Sequence, residues 1–325
     1  MSLIQEELKK MSDMVPFSSW RDDRPPAGYI RGPLGAAEKR FYEENGYLIL
    51  DRALSGGEVD AINAEATRIC RNEEGEIEAV KTAPSHLSDE EVLKEILCIH
   101  FPHKISPSLA QVMSHPSIVQ ALTTVIGPAV KAMQSMLFIK ASGKPGQAWH
   151  QDEDYIPTRD RSLIGAWIAL DDATLENGCL WVIPGSHRSG ALWKQEWHGD
   201  KRFDCSLESK GFPYTQADEV PVEVKRGSVV LFNGYLLHRS LPNRAKAGFR
   251  RALVNHYMSA GSLLPWRHDP SVGMAMQDYR DIVMVAGTDP YAWKGTVELA
   301  KPHIRPAGEG GCVDWITKQP RGYNG

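Results

Sequence analysis

Cysteine is scarce in this sequence and follows no pattern. The five present (Cys70, Cys98, Cys179, Cys205 and Cys312) include no CxxC pair. An odd, dispersed set reads as buried free thiols in a reducing compartment rather than as a disulfide frame. Long apolar runs are also missing: none approaches the roughly 20 residues a helix needs to span a bilayer. The opening stretch MSLIQEELKKMSDMVPF has no apolar segment or cleavage signal of a secretory leader, and the closing RGYNG carries no peroxisomal or reticulum address. A cytoplasmic protein is the resulting expectation. No Lys/Arg run marks a phosphate-tracking groove, and the formal charge of −4 argues against a nucleic-acid surface. Repeats, low-complexity tracts and convincing linkers are absent as well.

What is there is an ordinary globular balance. The 325 residues are 42% hydrophobic and 24% charged, enough for one large domain or two modest ones. Residues 1–35 are polar, with a patch Arg24-Pro25-Pro26-Ala27-Gly28 that suits an irregular arm. The segment 36–45 reads as a helix ended by Gly46, and Tyr47–Leu50 as a strand. Ser55 is placed to cap a helix carrying Val59, Ile62 and Ala66 at helical spacing. Residues 71–90 are acidic and uneven, hence a surface loop, and short helices are expected over 89–97, 106–114 and 116–126.

From Ala129 the texture changes to short apolar, partly alternating runs separated by Gly, Pro and Asn turns. Such a series predicts an antiparallel sandwich or barrel, and a jelly roll of this kind leaves an interior mouth able to hold a ligand. The expectation is therefore a single domain over 1–325, mainly β with helical decoration (α+β). Its arm and helices occupy 1–128. A β core spans 129–260, interrupted by a flap or lid at 190–220. A helical and irregular wrap over 261–325 contains Trp266, Trp293 and Trp315.

Two stretches carry chemistry. One is WHQDEDYIPTRDRSLIGAW, residues 149–167, with His150-Gln151-Asp152 at its head. Residues i and i+2 of a strand share a face, so an imidazole and a carboxylate lean into one space. The other is GSVVLFNGYLLHRS, residues 227–240, an apolar strand pair ending in His238. Two histidines and one carboxylate are the facial triad of non-haem Fe(II) sites, which leaves three metal positions open. An H-x-D alone is a weak signal, since His198-Gly199-Asp200 repeats it in a charged stretch that reads as loop. Asp154 shares parity with Asp152, but ~6.6 Å more strand rise would carry it out of reach.

With these motifs stand FYEENGYLIL, LIGAWIALDDATLENGCLWVIPGSH and GFRRALVNHY. Together, across roughly residues 36–260, they resemble the phytanoyl-CoA dioxygenase family of Fe(II)/2-oxoglutarate oxygenases. The resemblance implies a double-stranded β-helix, a cupin-like jelly-roll variant, in which His150, Asp152 and His238 ligate iron. It also implies an Arg beyond the distal His that grips the far carboxylate of 2-oxoglutarate. The GFR context puts this at Arg250. A guanidinium fork suits a carboxylate as a lysine does not, although strand parity by itself does not separate Arg250 from Arg251. Ser240 shares the strand face of His238 and could donate to the same carboxylate. Met136 and Trp167 match positions lining the cofactor, where the alternative is ordinary core, and Gln134 shares the face of Met136. Some members carry a Lys at a position near Cys98–His100. None stands here, although Lys104 is close.

The activity so implied is a dioxygenase taking O₂ as co-substrate and hydroxylating an unactivated C–H with release of succinate and CO₂. Halogenases of the class exchange the carboxylate ligand for a small residue, so Asp152 favours hydroxylation or another oxidative outcome. A Zn(II) or Mn(II) hydrolase or isomerase on the same barrel is a rival, but it has no use for Arg250 and Ser240. A non-catalytic binding protein is a third reading. Trp149, Tyr155 and Trp181 stand near the motifs, either as a flat wall for an apolar substrate or as packing. No basic cluster suits the 3′-phosphate of CoA, so a small metabolite or natural-product intermediate is the expected substrate. His187 is read as turn-stabilising, and His256 as core or cavity wall.

Overall fold

The computed structural model describes residues 28–30, 32–73, 77, 85–204, 207–264 and 278–307. The expected N-terminal arm up to residue 27, half of the acidic loop at 71–90, Cys205, Cys312, Trp266 and Trp315 lie outside the described residues. Two sheets dominate. The larger runs in the order β1 (Tyr29–Ile30), β2 (Tyr47–Leu50), β11 (Val229–Asn233), β6 (Ile164–Ala169), β13 (Phe249–Ser259), β4 (Val130–Ala141), β3 (Ile96–His100) and β15 (His303–Pro306). A further strand, β14 (Val283–Ala286), also pairs with β4. The smaller sheet is β10 (Val220–Val222), β7 (Leu180–Val182), β12 (His238–Ser240) and β5 (Gln147–His150). Apart from the parallel β1–β2 contact, all these pairings are antiparallel. The result is a mainly β jelly roll with helical decoration, as expected.

The large sheet is buried on both faces, and side-chain alternation divides its residues between two cores. Leu48, Leu50, Ala166, Ile168, Val229, Leu231 and Leu253 face one apolar cluster, shared with the helices. Their neighbours Tyr47, Ile49, Trp167, Ala169, Val230, Phe232, Ala252 and Val254 face the other, between the sheets. A strand covered on both sides needs apolar residues in succession, which is why YLIL, VVLF and IGAWIA read as runs rather than strict alternations. Each large aliphatic buried in this way contributes roughly 1.5–3 kcal/mol.

Five α-helices stand among the described residues: α1 (Ala36–Asn45), α2 (Gly56–Cys70), α3 (Asp89–Lys94), α4 (Pro107–Met113) and α5 (Pro116–Val125). Ser55 caps α2 as expected: its Oγ accepts from the Glu58 N–H at 3.3 Å, while the Glu58 carboxylate accepts from the Ser55 N–H at 2.8 Å. Helix α1 ends at Gly46 in the left-handed conformation, φ 81°. A Cβ at Gly46 would run into the His187 ring. That ring donates from Nε2 to the Glu43 carbonyl at 3.1 Å, the turn-holding part expected of His187.

Two expectations need correction. The helix placed over 89–97 stops at Lys94, and Ile96–His100 forms a strand instead. Its alternating apolar residues are claimed by pairing with β4, a long-range contact that local periodicity does not reveal. The tail expected as helical and irregular supplies two strands, β14 and β15, to the large sheet. The segment 190–220, expected as a flap, carries a hairpin of β8 (Gln195–Trp197) and β9 (Leu207–Ser209). It packs on the outer face of the small sheet, with Phe212 edge-on to Trp149 at 6.3 Å.

Candidate active site

The site lies on the inner faces of the two sheets. His238 on β12 is directly opposite His150 on β5, which brings the two rings to 4.1 Å between centroids. Each ring is fixed by the backbone two residues earlier: His150 Nδ1 lies 2.8 Å from the Ala148 carbonyl, and His238 Nδ1 3.0 Å from that of Leu236. A carbonyl only accepts, so both Nδ1 atoms carry the proton. Both Nε2 lone pairs then face the interior, as metal-ligating imidazoles require. Burial, with His150 beside it, pushes His238 down to about 4, which keeps it neutral near pH 7.

Asp152 arrives by a route other than the expected one. Strand β5 ends at His150, Gln151 is extended (φ −128°, ψ 127°), and Asp152 opens a single 3₁₀ turn, Asp152–Asp154. The turn, not strand rise, carries Asp154 away to an exposed position. Asp152 Oδ1 stands 3.7 Å from His150 Nε2 and 3.5 Å from His238 Nε2. Among the described residues, His150, Asp152 and His238 form the one cluster of His, Cys, Asp or Glu able to close on an ion, with ligand atoms within 4.8 Å of one another. Burial alone would raise the Asp152 carboxyl. The imidazoles of His238, His256 and His150 outweigh it and hold the group below the usual carboxylate range.

Two supporting residues escaped the sequence reading. Gln151, the middle of the motif, donates from Nε2 to the carbonyls of Ala191 (2.9 Å) and Tyr235 (2.8 Å), and its Oε1 accepts from the Trp193 N–H at 2.8 Å. It ties the His–Asp segment to two loops. His256, read as cavity wall, places Nε2 2.8 Å from Asp152 Oδ2. Strand parity could have found His256, since it shares a face with Arg250, Ala252 and Val254. The partners of Gln151 left no mark in the sequence.

The opposite end of the interior belongs to Arg250. It is 3% exposed, its guanidinium lies over the Trp167 ring at 5.4 Å, and its Nε and Nη1 have no partner among the described residues. Burial pushes the group down to about 10. Arg251 points the other way, where Nε and Nη2 grip Asp171 at 2.9 and 2.7 Å. Parity left the two arginines undivided, and the geometry divides them. Ser240, Met136, Trp167 and Gln134 stand on the same interior faces, and the Gln134 Oε1 is buried without a partner among the described residues. Lys104 does not reach the interior and instead pairs with Asp281 at 2.6 Å.

Of the three aromatics near the motifs, Trp149 and Trp181 turn outward and flank the Arg239 guanidinium at 4.7 and 5.8 Å. They are packing. Tyr155 is 44% exposed and edge-on to His150 at 6.3 Å, and it borders the site. The second H-x-D lies in a loop as expected, where Asp200 is held by Arg202 at 2.6 Å.

Comparison with known proteins agrees with this geometry. The family described as phytanoyl-CoA dioxygenase (PhyH) matches residues 42–252. The peroxisomal phytanoyl-CoA dioxygenase of Rattus norvegicus is 30% identical over 253 residues, covering 70% of this chain and 69% of the relative. Phytanoyl-CoA dioxygenase 1 of Oryza sativa is 28% identical over 261 residues, covering 71% and 90%. Among solved structures, the non-haem α-ketoglutarate-dependent carbocyclase SnoK of nogalamycin biosynthesis superposes with a TM-score of 0.56 at 23% identity, covering 79% of this chain and 100% of that one. EvdO2 of Micromonospora carbonacea, complexed with 2-oxoglutarate, gives 0.54 at 20%, covering 77% and all but 1% of its own chain. These last two show the shared fold. The protein belongs to the phytanoyl-CoA dioxygenase family.

Proposed function

We propose that the protein is a non-haem Fe(II)- and 2-oxoglutarate-dependent dioxygenase that hydroxylates an unactivated C–H of a small metabolite or natural-product intermediate. The observation that carries the reading is the pairing of two features on one interior: a His–Asp–His cluster, and a buried guanidinium whose Nε and Nη1 have no partner among the described residues. A buried, unpaired cation is costly, and an anionic co-substrate reaching from the cluster to Arg250 would satisfy it.

His150, Asp152 and His238 would hold the metal, supplying two neutral nitrogens and one negative charge. Fe(II) with 2-oxoglutarate and O₂ supplies the oxidising chemistry, with succinate and CO₂ as by-products. The chain's own residues bind and orient. Arg250 and Ser240 seat the far carboxylate. Gln134 offers a polar contact nearer the cluster, and Met136 and Trp167 line the co-substrate's flanks. Trp167, Phe232 and Val254 exclude water from the space between. No side chain needs to act as a general base.

The substrate is a small molecule, and Tyr155 at the rim offers it an aromatic edge. Among the described residues no helix is long and apolar enough to cross a membrane, and the cytoplasm is the compartment proposed. The test is anaerobic Fe(II) titration followed by succinate release with a panel of candidate metabolites. Stoichiometric metal binding lost on His238→Ala, with 2-oxoglutarate turnover stimulated by one class of metabolite, is the expected result. Turnover that persists without O₂ and 2-oxoglutarate would replace this reading with a hydrolytic one.

A further inference from the structure

Lys140 is a charged residue that the expected machinery does not use. It lies on β4 directly opposite Arg250 on β13, so the two cations share the interior face, and it is 6% exposed. Its Nζ donates to Ser240 Oγ at 2.9 Å, to the Leu241 carbonyl at 2.7 Å and to the Gly178 carbonyl at 3.4 Å. None of these partners is an anion. The carboxylates in the neighbourhood are engaged elsewhere: Asp204 is bound by Arg305, and Asp171 by Arg251. Among the described residues two buried basic groups therefore stand side by side with no carboxylate in hydrogen-bond contact with either. Burial, with Arg250 alongside, holds Lys140 well below the usual lysine range, and Asp204, bound by Arg305, offsets this only in part.

The hydrogen-bond inventory of Ser240 gives this pair a direction. A serine hydroxyl has two acceptor sites and one proton to give. Ser240 Oγ accepts from Lys140 Nζ, which can only donate, and from the Gln147 backbone N–H at 3.3 Å. Both acceptor sites are taken. What remains is the O–H, which has no acceptor among the described residues and lies on the interior face of β12.

We infer that Lys140 is a positioning residue for the co-substrate: it locks Ser240 as a hydrogen-bond donor and, with Arg250, makes a two-cation floor that selects a 2-oxo acid bearing a second, distal carboxylate. This rests on the functional reading above and goes beyond it by assigning the selectivity to a residue outside the motifs that carry the family resemblance. The Gly178 turn (φ +82°) belongs to the same device, since a Cβ there would crowd both the Leu241 carbonyl and Lys140 Nζ.

The test compares two ligands on Mn(II)-loaded protein without O₂, by calorimetry. One is 2-oxoglutarate. The other is 2-oxopentanoate, of the same length with a methyl in place of the distal carboxylate. Lys140→Met should weaken 2-oxoglutarate by roughly tenfold to a hundredfold, the weight of a charge-assisted contact. Affinity for 2-oxopentanoate and for Mn(II) should not change. Lys140→Arg, which keeps the charge, should retain part of the preference. Equal weakening of both ligands, or of neither, overturns the inference. Should Lys140→Met fail to fold, Lys140→Gln, which removes the charge and keeps a donor for the carbonyls of Leu241 and Gly178, carries the same test, and an unchanged preference there overturns it equally. Wild-type protein that binds Mn(II) but neither oxo acid would instead bring down the oxygenase reading itself.

Discussion

His256 Nε2 stands 2.8 Å from Asp152 Oδ2, on the far side of the carboxylate from the two histidines that face Oδ1. One oxygen is thus held by the protein while the other is presented to the cluster. The contact reaches across 104 residues of sequence, from the end of β13 to the turn after β5.

Removing that contact should loosen the metal without dismantling the fold. His256→Phe keeps a ring of similar size and loses the donor. We expect metal affinity to drop by roughly 10- to 100-fold, the usual cost of losing a partner that orients a ligand, with His256→Gln intermediate. Metal titration of the three proteins checks this, and equal affinities would show that Asp152 needs no support.

The two adjacent arginines should behave as opposites. Arg250→Met should raise the apparent Kd for 2-oxoglutarate roughly 100-fold or more, since a buried charged contact is lost, and leave the melting temperature near that of wild type or above it. Arg251→Met should leave co-substrate binding alone and cost about 1 kcal/mol through its partly buried pair with Asp171. Calorimetric binding and thermal melts on both variants separate these outcomes.

Acid should weaken the metal-free protein in a defined window. Burial, with Lys104 alongside, pushes His103 down from 6.5 to about 4. Its Nδ1 is 2.6 Å from Ser135 Oγ. A histidine depressed on folding takes up its proton more readily in the unfolded chain. Its contribution is therefore whole above pH 6.5, declines as the pH falls toward 4, and is gone below that. The full swing is on the order of 3 kcal/mol. Denaturant melts across this range should show a shallower pH dependence for His103→Gln, and parallel curves would exclude His103 as a source.

Gly46 offers a stability test remote from the chemistry. Gly46→Ala forces a left-handed conformation on a residue with a Cβ and drives that Cβ into the His187 ring. A loss of about 1–3 kcal/mol is expected, read as a lower melting temperature, with His187→Ala in the same chain recovering the steric part of it.

Much of this site was open to sequence reasoning because its signals are local. An H-x-D at a strand end, a histidine closing the strand pair GSVVLFNGYLLHRS, and a cap at Ser55 each depend on neighbours a few residues away. The strand at Ile96–His100 was not legible, because α3 runs almost into it and only pairing with β4 decides between helix and strand. Arg250 and Arg251 could not be separated by parity, since both faces of β13 are apolar, and Asp171 becomes visible as the partner of Arg251 only in three dimensions. Lys140 was legible in principle. It lies four residues beyond Met136 on the same strand face, but a lysine in an apolar strand invites a surface reading until its burial is seen.

The large sheet recruits β2 from residues 47–50 and β15 from residues 303–306. Its backbone ladder therefore cannot be finished until synthesis has passed residue 306, and β3 waits until then with one edge unpaired. A nascent chain in that state presents a ready template for intermolecular strand addition. Shortening the polypeptide to end before His303 would make this transient exposure permanent, turning a late folding step into a route to aggregation.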